Sequence, residues 1–229
     1  MEAGVPHVPW TPKDTLWGVV GGLLLAIIVP PLLVAPFDPD LSGDGALLAA
    51  QGLFDGALLM VAVGMASNWR FRPLRPALER LGLRRFQLTA IGLLIGTLVA
   101  YYIVAGLFAT YVLQPDQEDI GGELGVGNPN VAIAVAAVLM IVVLAPISEE
   151  LFFRGFLFAG VRSRWSLWPA AIVSGLVFGL VHAPTGITTV VPLAALGFAL
   201  CWLYDRTGSL WPCVIAHTIN NALALAVVS

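Results

Sequence analysis

The sequence predicts an all-α protein, a polytopic bundle of about seven transmembrane helices with a cytoplasmic N-terminus. The chain of 229 residues is 59% hydrophobic, and its mean hydropathy is +0.90. Only 11% of its residues are charged, which is less than half of the roughly 25% found in soluble domains. Its arginines cluster in alternate gaps between long apolar segments, which is the distribution expected of a polytopic membrane protein.

Seven apolar segments approach the roughly 20 residues that a membrane-spanning helix needs. They lie at residues 16–35, 46–66, 88–113, 131–160, 167–183, 187–204 and 209–228. The fourth segment is too long for one straight span. Pro146 should bend it, because proline cannot donate a hydrogen bond to the carbonyl four residues earlier. We expect residues 1–229 to form a single integral membrane domain.

The arginines indicate how the spans are oriented. Most of them lie in the loop between the second and third spans, at residues 67–87, and three others follow spans four and six, while Arg154 lies within span four. They are Arg70, Arg72, Arg75, Arg80, Arg84 and Arg85 in the loop, with Arg162, Arg164 and Arg206 later in the chain. The loops on the opposite side contain acids without lysine or arginine. The positive-inside rule therefore predicts a cytoplasmic Arg-rich loop at 67–87 and a cytoplasmic N-terminus.

The fourth span contains charges that membrane helices rarely keep. Glu149 and Glu150 stand side by side in LMIVVLAPISEELFFRGFLFAG, and Arg154 follows them. Charged side chains are costly at membrane depth, so they indicate a functional site. Glu150 and Arg154 are four residues apart, so they share a helix face and can pair. Glu149 is turned about 100° away from Glu150, which leaves it available for a different role.

Two histidines lie in later spans at a comparable depth. Phe178 and His182 share one helix face in FGLVH, and so do His217 and Asn221 in HTINN. At about 1.5 Å per residue, Glu149, His182 and His217 lie roughly 16, 22 and 12 Å from the cytoplasmic ends of their spans. With some tilt these side chains can meet in one layer. A structural ion pair beside a water-filled gap is the alternative interpretation of the glutamates and arginine.

Two kinds of chemistry fit these residue types. A carboxylate can take a proton from water while histidines and Asn221 bind the oxygen that becomes negative, which is a set of groups for amide hydrolysis. Alternatively, His182 and His217 could bind a divalent metal such as zinc together with Glu149. The sequence lacks HExxH, the usual signature of such zinc enzymes. Both possibilities stay open at this point.

Three motifs in order resemble those of a known family. SEELFFRG looks like EExxxR, FGLVH like FxxxH, and HTINN like HxxxN. Together they resemble the CAAX protease and bacteriocin-processing family of intramembrane proteases, also called Abi or Rce1-like, over residues 130–225. The resemblance implies that the first glutamate activates water. The catalytic residues that it implies are Glu149, His182, His217 and Asn221, and the supporting residues are Glu150, Arg154 and Phe178. A metal requirement is left open.

The predicted function is that of an intramembrane endopeptidase in a bacterial inner membrane, with its active site open to the cytoplasm. Its substrate would be a membrane-associated peptide or protein, with or without a lipid anchor, in contact with membrane lipid. No feature predicts a nucleic-acid partner. A non-catalytic scaffold or immunity protein of the same family is one alternative. A small transporter that relays protons through buried acids is another, although the inverted repeats of transporters are not visible.

Two features of the earlier spans receive separate interpretations. Asp55 lies in the middle of the second span. It could line the site, pair with Arg154 or act as a structural acid. Gly92 and Gly96 form a small-xxx-small pattern in the third span, which predicts close packing against another helix, with dimerisation as the alternative.

Overall fold

The computed structural model describes residues 4–5, 7–38, 43–71, 73–111, 122, 125–184 and 186–228. Within these residues the fold is all-α, as predicted, and contains no strand. The helices are α1 (Pro12–Val34), α2 (Asp44–Ala66), α3 (Leu74–Arg80), α4 (Thr89–Tyr111), α5 (Val131–Arg162), α6 (Leu167–Val181), α7 (Val190–Thr207) and α8 (Trp211–Val228). A short 3-10 segment, Ile187–Thr189, precedes α7.

Four of the described helices are long and apolar enough to cross a membrane. They are Pro12–Val34, Gly45–Ala66, Thr89–Tyr111 and Val131–Arg162. The apolar helices Leu167–Val181 and Trp211–Val227 are shorter. A helix with the 15 residues of α6 is only about 22 Å long, which is less than the roughly 30 Å of a bilayer core. Seven crossings and the side on which the N-terminus lies therefore stay predictions.

One end of the bundle gathers the arginines. Here α2, α5 and α7 end, while α4, α6 and α8 begin, and we call this the Arg-rich end. The backbone N–H of Leu210 donates to the carbonyl of Gly82 at 2.8 Å, which joins the start of α8 to the loop at 67–87. Arg162 at the end of α5 forms an ion pair with Asp205 near the end of α7, with 2.8 Å between Nε and Oδ1. This loop is therefore packed against the bundle.

Helix α5 departs twice from α-helical hydrogen bonding. Met140–Leu144 and Glu150–Phe158 are π-helical, and the short α-helical segment Ala145–Glu149 separates them. The N–H of Ala145 donates to the carbonyl of Met140, five residues earlier. The bend predicted at Pro146 thus coincides with a π segment directly before the proline, and single π turns in helices frequently accompany functional sites.

Helices α6 and α7 approach each other closely through glycines. A Cβ atom on Gly175 would lie 2.7 Å from the carbonyl oxygen of Ala194 and 2.9 Å from the backbone nitrogen of Phe198. By contrast, a Cβ on Gly92 or Gly96 would meet no heavy atom within 4 Å. The predicted close packing at Gly92 and Gly96 is therefore absent from the described part of the chain, and backbone contact occurs at Gly175 instead.

Replacing Gly175 with alanine should destabilise the protein, whereas the same change at Gly96 should not. The added methyl group at residue 175 would collide with the α7 backbone, which cannot move aside without shifting the helix. Such overpacking costs typically about 1–3 kcal/mol. Thermal unfolding of the purified protein in detergent, followed by the helical signal, measures the difference. Equal melting temperatures for the two variants would contradict the close α6–α7 contact.

Candidate active site

The second π segment carries a buried charge cluster. Every residue of Glu150–Phe158 is buried, and its phenylalanines surround the ionisable groups with apolar surface. Glu150 and Arg154 are both 0% exposed, and the neighbouring Glu149 is 7% exposed. Charges buried in this way are stable only when they are paired and hydrogen-bonded. The partners of each group therefore decide what it can do.

Glu150 is held by two partners. Its Oε1 atom lies 2.9 Å from Nη1 of Arg154. The two groups form an ion pair, although their relative orientation does not meet the angles of a hydrogen bond. The same oxygen lies 2.9 Å from Nδ1 of His217 on α8. Since a carboxylate only accepts hydrogen bonds, Nδ1 of His217 carries the proton when Glu150 is ionised. The predicted pairing of Glu150 with Arg154 is present, and the contact with His217 adds a link between two helices.

Glu149 is placed differently from its neighbour. Its Oε2 atom lies 3.7 Å from Nε2 of His217, which is longer than a hydrogen bond. Within the described part of the chain, this buried oxygen has no hydrogen-bond partner. His217 therefore stands between the two glutamates, bonded to Glu150 through Nδ1 and facing Glu149 through Nε2. Glu150 is engaged through Oε1 alone, and Oε2 of each glutamate has no described hydrogen-bond partner, that of Glu149 lying beside an imidazole.

Phe178 lies at the centre of the cluster. The guanidinium carbon of Arg154 is 4.3 Å from the centroid of its ring, within the range of a cation–π contact. The rings of His182 and His217 lie 4.9 and 5.7 Å away, centroid to centroid. Phe178 thus touches residues of all three motifs, which explains why an aromatic residue precedes His182 by one helical turn.

His182 is oriented by the backbone of its own helix. Its Nδ1 atom lies 2.8 Å from the carbonyl oxygen of Phe178. Because a carbonyl can only accept, Nδ1 must be the protonated nitrogen of this contact. In the neutral ring Nε2 then has no proton and accepts hydrogen bonds. His182 is half-buried at the C-terminal end of α6, so it forms the more accessible side of the cluster.

Polar side chains of α8 bind carbonyl groups of the first π segment. The hydroxyl of Thr218 donates to the carbonyl of Val142 at 2.9 Å, and Nδ2 of Asn221 donates to that of Ile141 at 3.0 Å. These are the carbonyls that the missing N–H of Pro146 would reach, at i−4 in an α-helix and at i−5 in a π-helix. In a membrane, such groups must find partners within the protein. Thr218 and Asn221 supply them.

A double substitution tests this relation between Thr218 and Pro146. In the natural background, Thr218→Val should lower the free energy of unfolding by about 1 kcal/mol, a typical value for a hydrogen bond between membrane helices. In a Pro146→Ala background the loss should be smaller, because the N–H of residue 146 can then serve the carbonyl. Unfolding titrations of the four proteins in mixed micelles measure the cycle. Equal losses in both backgrounds would contradict the explanation.

Asp55 on α2 is hydrogen-bonded beside the glutamates. The hydroxyl of Ser148 donates to Oδ1 of Asp55, and Nε2 of Gln51 donates to Oδ2 at 3.2 Å. Asp55 is fully buried. Asp55 thus accepts hydrogen bonds from Ser148 and Gln51 and joins α2 to α5 next to Glu149. Of the three interpretations drawn from the sequence, these contacts match that of a structural acid.

The arrangement of donors can be tested against a metal ion. In the described residues, no three side chains of the types His, Cys, Asp and Glu form a group that could hold one. Because Nδ1 of His217 faces Glu150 and Nδ1 of His182 faces a backbone carbonyl, only Nε2 of each ring could bind a metal. In this arrangement the described side chains do not form a metal-binding site with Glu149.

The structure brings most of the predicted site residues together. Glu149, Glu150, Arg154, Phe178 and His217 form one cluster, and His182 joins it through the ring of Phe178. Asn221 is on the same helix as His217, and its described contact is with the first π segment. Sequence reasoning missed Thr218 and the link from Ser148 to Asp55. The proline before the glutamates was the available signal for Thr218, because it leaves carbonyls that need donors.

Comparisons with known proteins agree with the motifs. Residues 130–223 match the family described as Type II CAAX prenyl endopeptidase Rce1-like, which confirms the predicted family resemblance. The "Putative membrane peptidase YdiL" of Bacillus subtilis (strain 168) is 29% identical over 153 residues. That match covers 62% of this chain and 60% of the relative, so this chain spans about three fifths of that protein's length.

Two further bacterial relatives extend this finding. "UPF0177 protein YxdF" of Lactococcus lactis subsp. lactis (strain IL1403) is 25% identical over 155 residues, which are 67% of this chain and 82% of the relative. An "Uncharacterized 24.3 kDa protein" of Escherichia coli is 31% identical over 94 residues, which are 40% of this chain and 43% of the relative. No solved structure matches the chain. With its apolar helices, the chain is an integral membrane protein.

Proposed function

Because residues 130–223 match the Rce1-like family, we propose that the protein is an intramembrane endopeptidase that hydrolyses a peptide bond in a membrane-associated peptide or protein. One observation carries the proposal, namely the different environments of the adjacent glutamates. Glu150 is fully buried and its Oε1 lies 2.9 Å from both Arg154 and His217, whereas Glu149 is 7% exposed and its Oε2 lies 3.7 Å from His217. Neighbouring acids in different environments can take different catalytic roles.

In the proposed mechanism, Glu149 is the general base. Because Oε2 of Glu149 and Nε2 of His217 are 3.7 Å apart, a water beside them could donate a hydrogen bond to each. Glu149 takes a proton from this water as its oxygen attacks the peptide carbonyl, which produces a tetrahedral oxyanion. The carboxylic acid so formed returns the proton to the leaving amine nitrogen, and the C–N bond breaks. The base is restored, and one water is consumed in each cycle.

The oxyanion needs hydrogen-bond donors, and three residues are candidates. Nδ1 is already a donor in both His182 and His217, so either Nε2 can donate only when its ring is protonated. Asn221 has two N–H bonds in its side-chain amide, and one of them serves Ile141. The second can stabilise the oxyanion.

Glu150, Arg154 and Phe178 act as positioning residues in this proposal. Arg154 balances the charge of Glu150 and lies against the ring of Phe178. That ring separates the buried ion pair from His182 and sets the spacing of both imidazoles. Since none of the three needs to touch the substrate, their replacement should act through stability and through the orientation of His217.

The proposed location is a bacterial inner membrane, with the Arg-rich end in the cytoplasm and seven crossings in total. The positive-inside rule supports this orientation, and the three relatives are bacterial. Glu149 would lie roughly 20 Å from the Arg-rich end of α5 at about 1.5 Å per residue. A substrate would reach it from the cytoplasm or laterally from the bilayer. Both lipidated and unmodified membrane peptides are candidates.

Cleavage in reconstituted vesicles tests the proposed function. Purified full-length protein is incubated with a panel of membrane-anchored peptides, synthesised with and without a prenyl group, and products are identified by mass spectrometry. We expect at least one peptide to yield two fragments whose summed mass exceeds the substrate by one water. We also expect cleavage to persist in EDTA, given the donor arrangement. An inert panel in proteoliposomes that retain folded protein would count against the proposal.

A further inference from the structure

A groove at the Arg-rich end has no part in the proposed hydrolysis. It has a volume of about 1050 Å³ and lies between the loop at 67–87 and the start of α8. Its lining combines apolar side chains with arginines, including Leu74, Leu78, Arg84, Arg85 and Trp211. Leu74 is 52% exposed and Trp211 is 41% exposed. The groove therefore offers both apolar surface and positive charge at one end of the membrane helices.

Of the arginines that line this groove, Arg75 has an acidic partner there, whereas Arg84 and Arg85 have none among the described residues. Arg75 and Glu79 also line it and form an ion pair, with 2.9 Å between Nε and Oε1. In the described part of the chain, no salt bridge involves Arg84 or Arg85. The Nε and Nη2 atoms of Arg84 are buried there without a hydrogen-bond partner. A guanidinium left in this state is costly, and a nearby anion would stabilise its positive charge.

Arg84 is held in place by contacts of its backbone. Its carbonyl oxygen accepts a hydrogen bond from the hydroxyl of Ser209 at 2.6 Å, and Ser209 lies in the connection between α7 and α8. The loop at 67–87 is thereby bonded to the elements that form the opposite wall of the groove. The site is thus built from connected parts of the fold.

We propose that this groove binds an anionic phospholipid from the surrounding membrane. The phosphate would contact Arg84 and Arg85, because guanidinium groups bind phosphate through paired N–H donors. An acyl chain would lie along Leu74, Leu78 and Trp211. Three features favour a lipid over other anions, namely the position at the ends of apolar helices, the exposed apolar lining and the half-exposed tryptophan typical of the membrane interface. The inference does not depend on protease activity.

Native mass spectrometry of the full-length protein tests the lipid site. The protein is purified in a non-ionic detergent and titrated with palmitoyl-oleoyl phosphatidylglycerol or with the phosphatidylcholine of the same chains. We expect the first phosphatidylglycerol to be retained roughly thirtyfold more tightly, since each of the two arginines contributes about 1 kcal/mol near a headgroup and every 1.4 kcal/mol is a factor of ten. Arg84→Gln with Arg85→Gln should abolish that preference. Arg70→Gln with Arg164→Gln, two exposed arginines outside the groove, should retain it.

Each result decides the question. Equal retention of both lipids by the natural protein would overturn the proposal, and this measurement needs no variant to fold. Retention of the preference by the folded Arg84 and Arg85 variant would also overturn it. Displacement of phosphatidylglycerol by millimolar glycerol phosphate would show that the groove takes small phosphates and would reject the lipid. Lipid preference that is unaffected by glycerol phosphate and lost only in the groove variant supports the proposal.

Discussion

Replacing Glu149 with glutamine is expected to abolish peptide hydrolysis while the protein stays folded. Glutamine has the same size and fills the same space, but it cannot accept a proton from water. Loss of a general base costs typically about 10²–10⁴-fold in rate. Because Glu149 has no described ion pair closer than the 3.7 Å contact with His217, removing its charge should leave the unfolding temperature unchanged or raise it. Initial cleavage rates in proteoliposomes measure the effect.

Glu79→Gln is the matched control for this prediction. Glu79 lies in α3, exposed and paired with Arg75, and outside the charge cluster. The control variant should cleave at the natural rate. If the Glu149 variant kept more than about a tenth of the natural rate, less than the smallest loss expected for a general base, Glu149 would not be the base.

Replacing Arg154 with methionine is expected to destabilise the protein strongly. Arg154 is fully buried, 2.9 Å from Glu150 and 4.3 Å from the ring of Phe178. Its removal leaves Glu150 as a buried negative charge with His217 as the remaining partner. Breaking one side of a buried ion pair costs about 3–5 kcal/mol. Unfolding titrations in mixed micelles measure this loss.

A second substitution separates the charge effect from lost packing. Adding Glu150→Gln to Arg154→Met removes the uncompensated charge, so the double variant should be more stable than Arg154→Met alone. Neutral replacements of both members of a buried pair can be nearly harmless, and a double-mutant cycle isolates the interaction between them. A strictly additive loss from the two substitutions would contradict the ion pair. It would instead assign the stability to packing around Phe178.

The sequence was a good guide to the helices and a weaker guide to the membrane crossings. The extent of each apolar segment locates each long helix to within a few residues, because burying a continuous apolar segment in lipid or protein is energetically favourable. The predicted segment at 187–204 begins as a 3-10 turn, and its α-helix runs over Val190–Thr207. The loop at 67–87 contains α3, which is too short to stand out in hydropathy. Helix α6 has only 15 residues, so length alone cannot decide whether it crosses.

Within the site, contacts along one helix were predictable and contacts between helices were not. Spacing of four residues correctly paired Glu150 with Arg154 and placed Phe178 beside His182. The bond from His217 to Glu150 depends on how α8 is rotated against α5, which spacing within one helix does not encode. The contact between Ser148 and Asp55 has the same origin. Physical reasoning about the missing N–H of Pro146 could have predicted carbonyl acceptors, although not the identity of Thr218 as their donor.

The glycines illustrate the same limit for packing. The small-xxx-small pattern at Gly92 and Gly96 predicted a close contact, yet α4 leaves open space there. Gly175 on α6 makes the backbone contact with α7 instead. A glycine permits close approach without requiring it, so the partner helix decides which glycines are used.

Oxygen-18 labelling in a single turnover tests most directly whether Glu149 activates a water. Excess protein in proteoliposomes cleaves a membrane peptide in H₂¹⁸O, after which the new carboxyl terminus and the protein are both analysed by mass spectrometry. We expect one ¹⁸O atom in the product carboxylate and none in the peptide that contains Glu149. Label in the Glu149 carboxylate would show that this residue attacks the substrate as a nucleophile, and it would contradict the role of base assigned to it here.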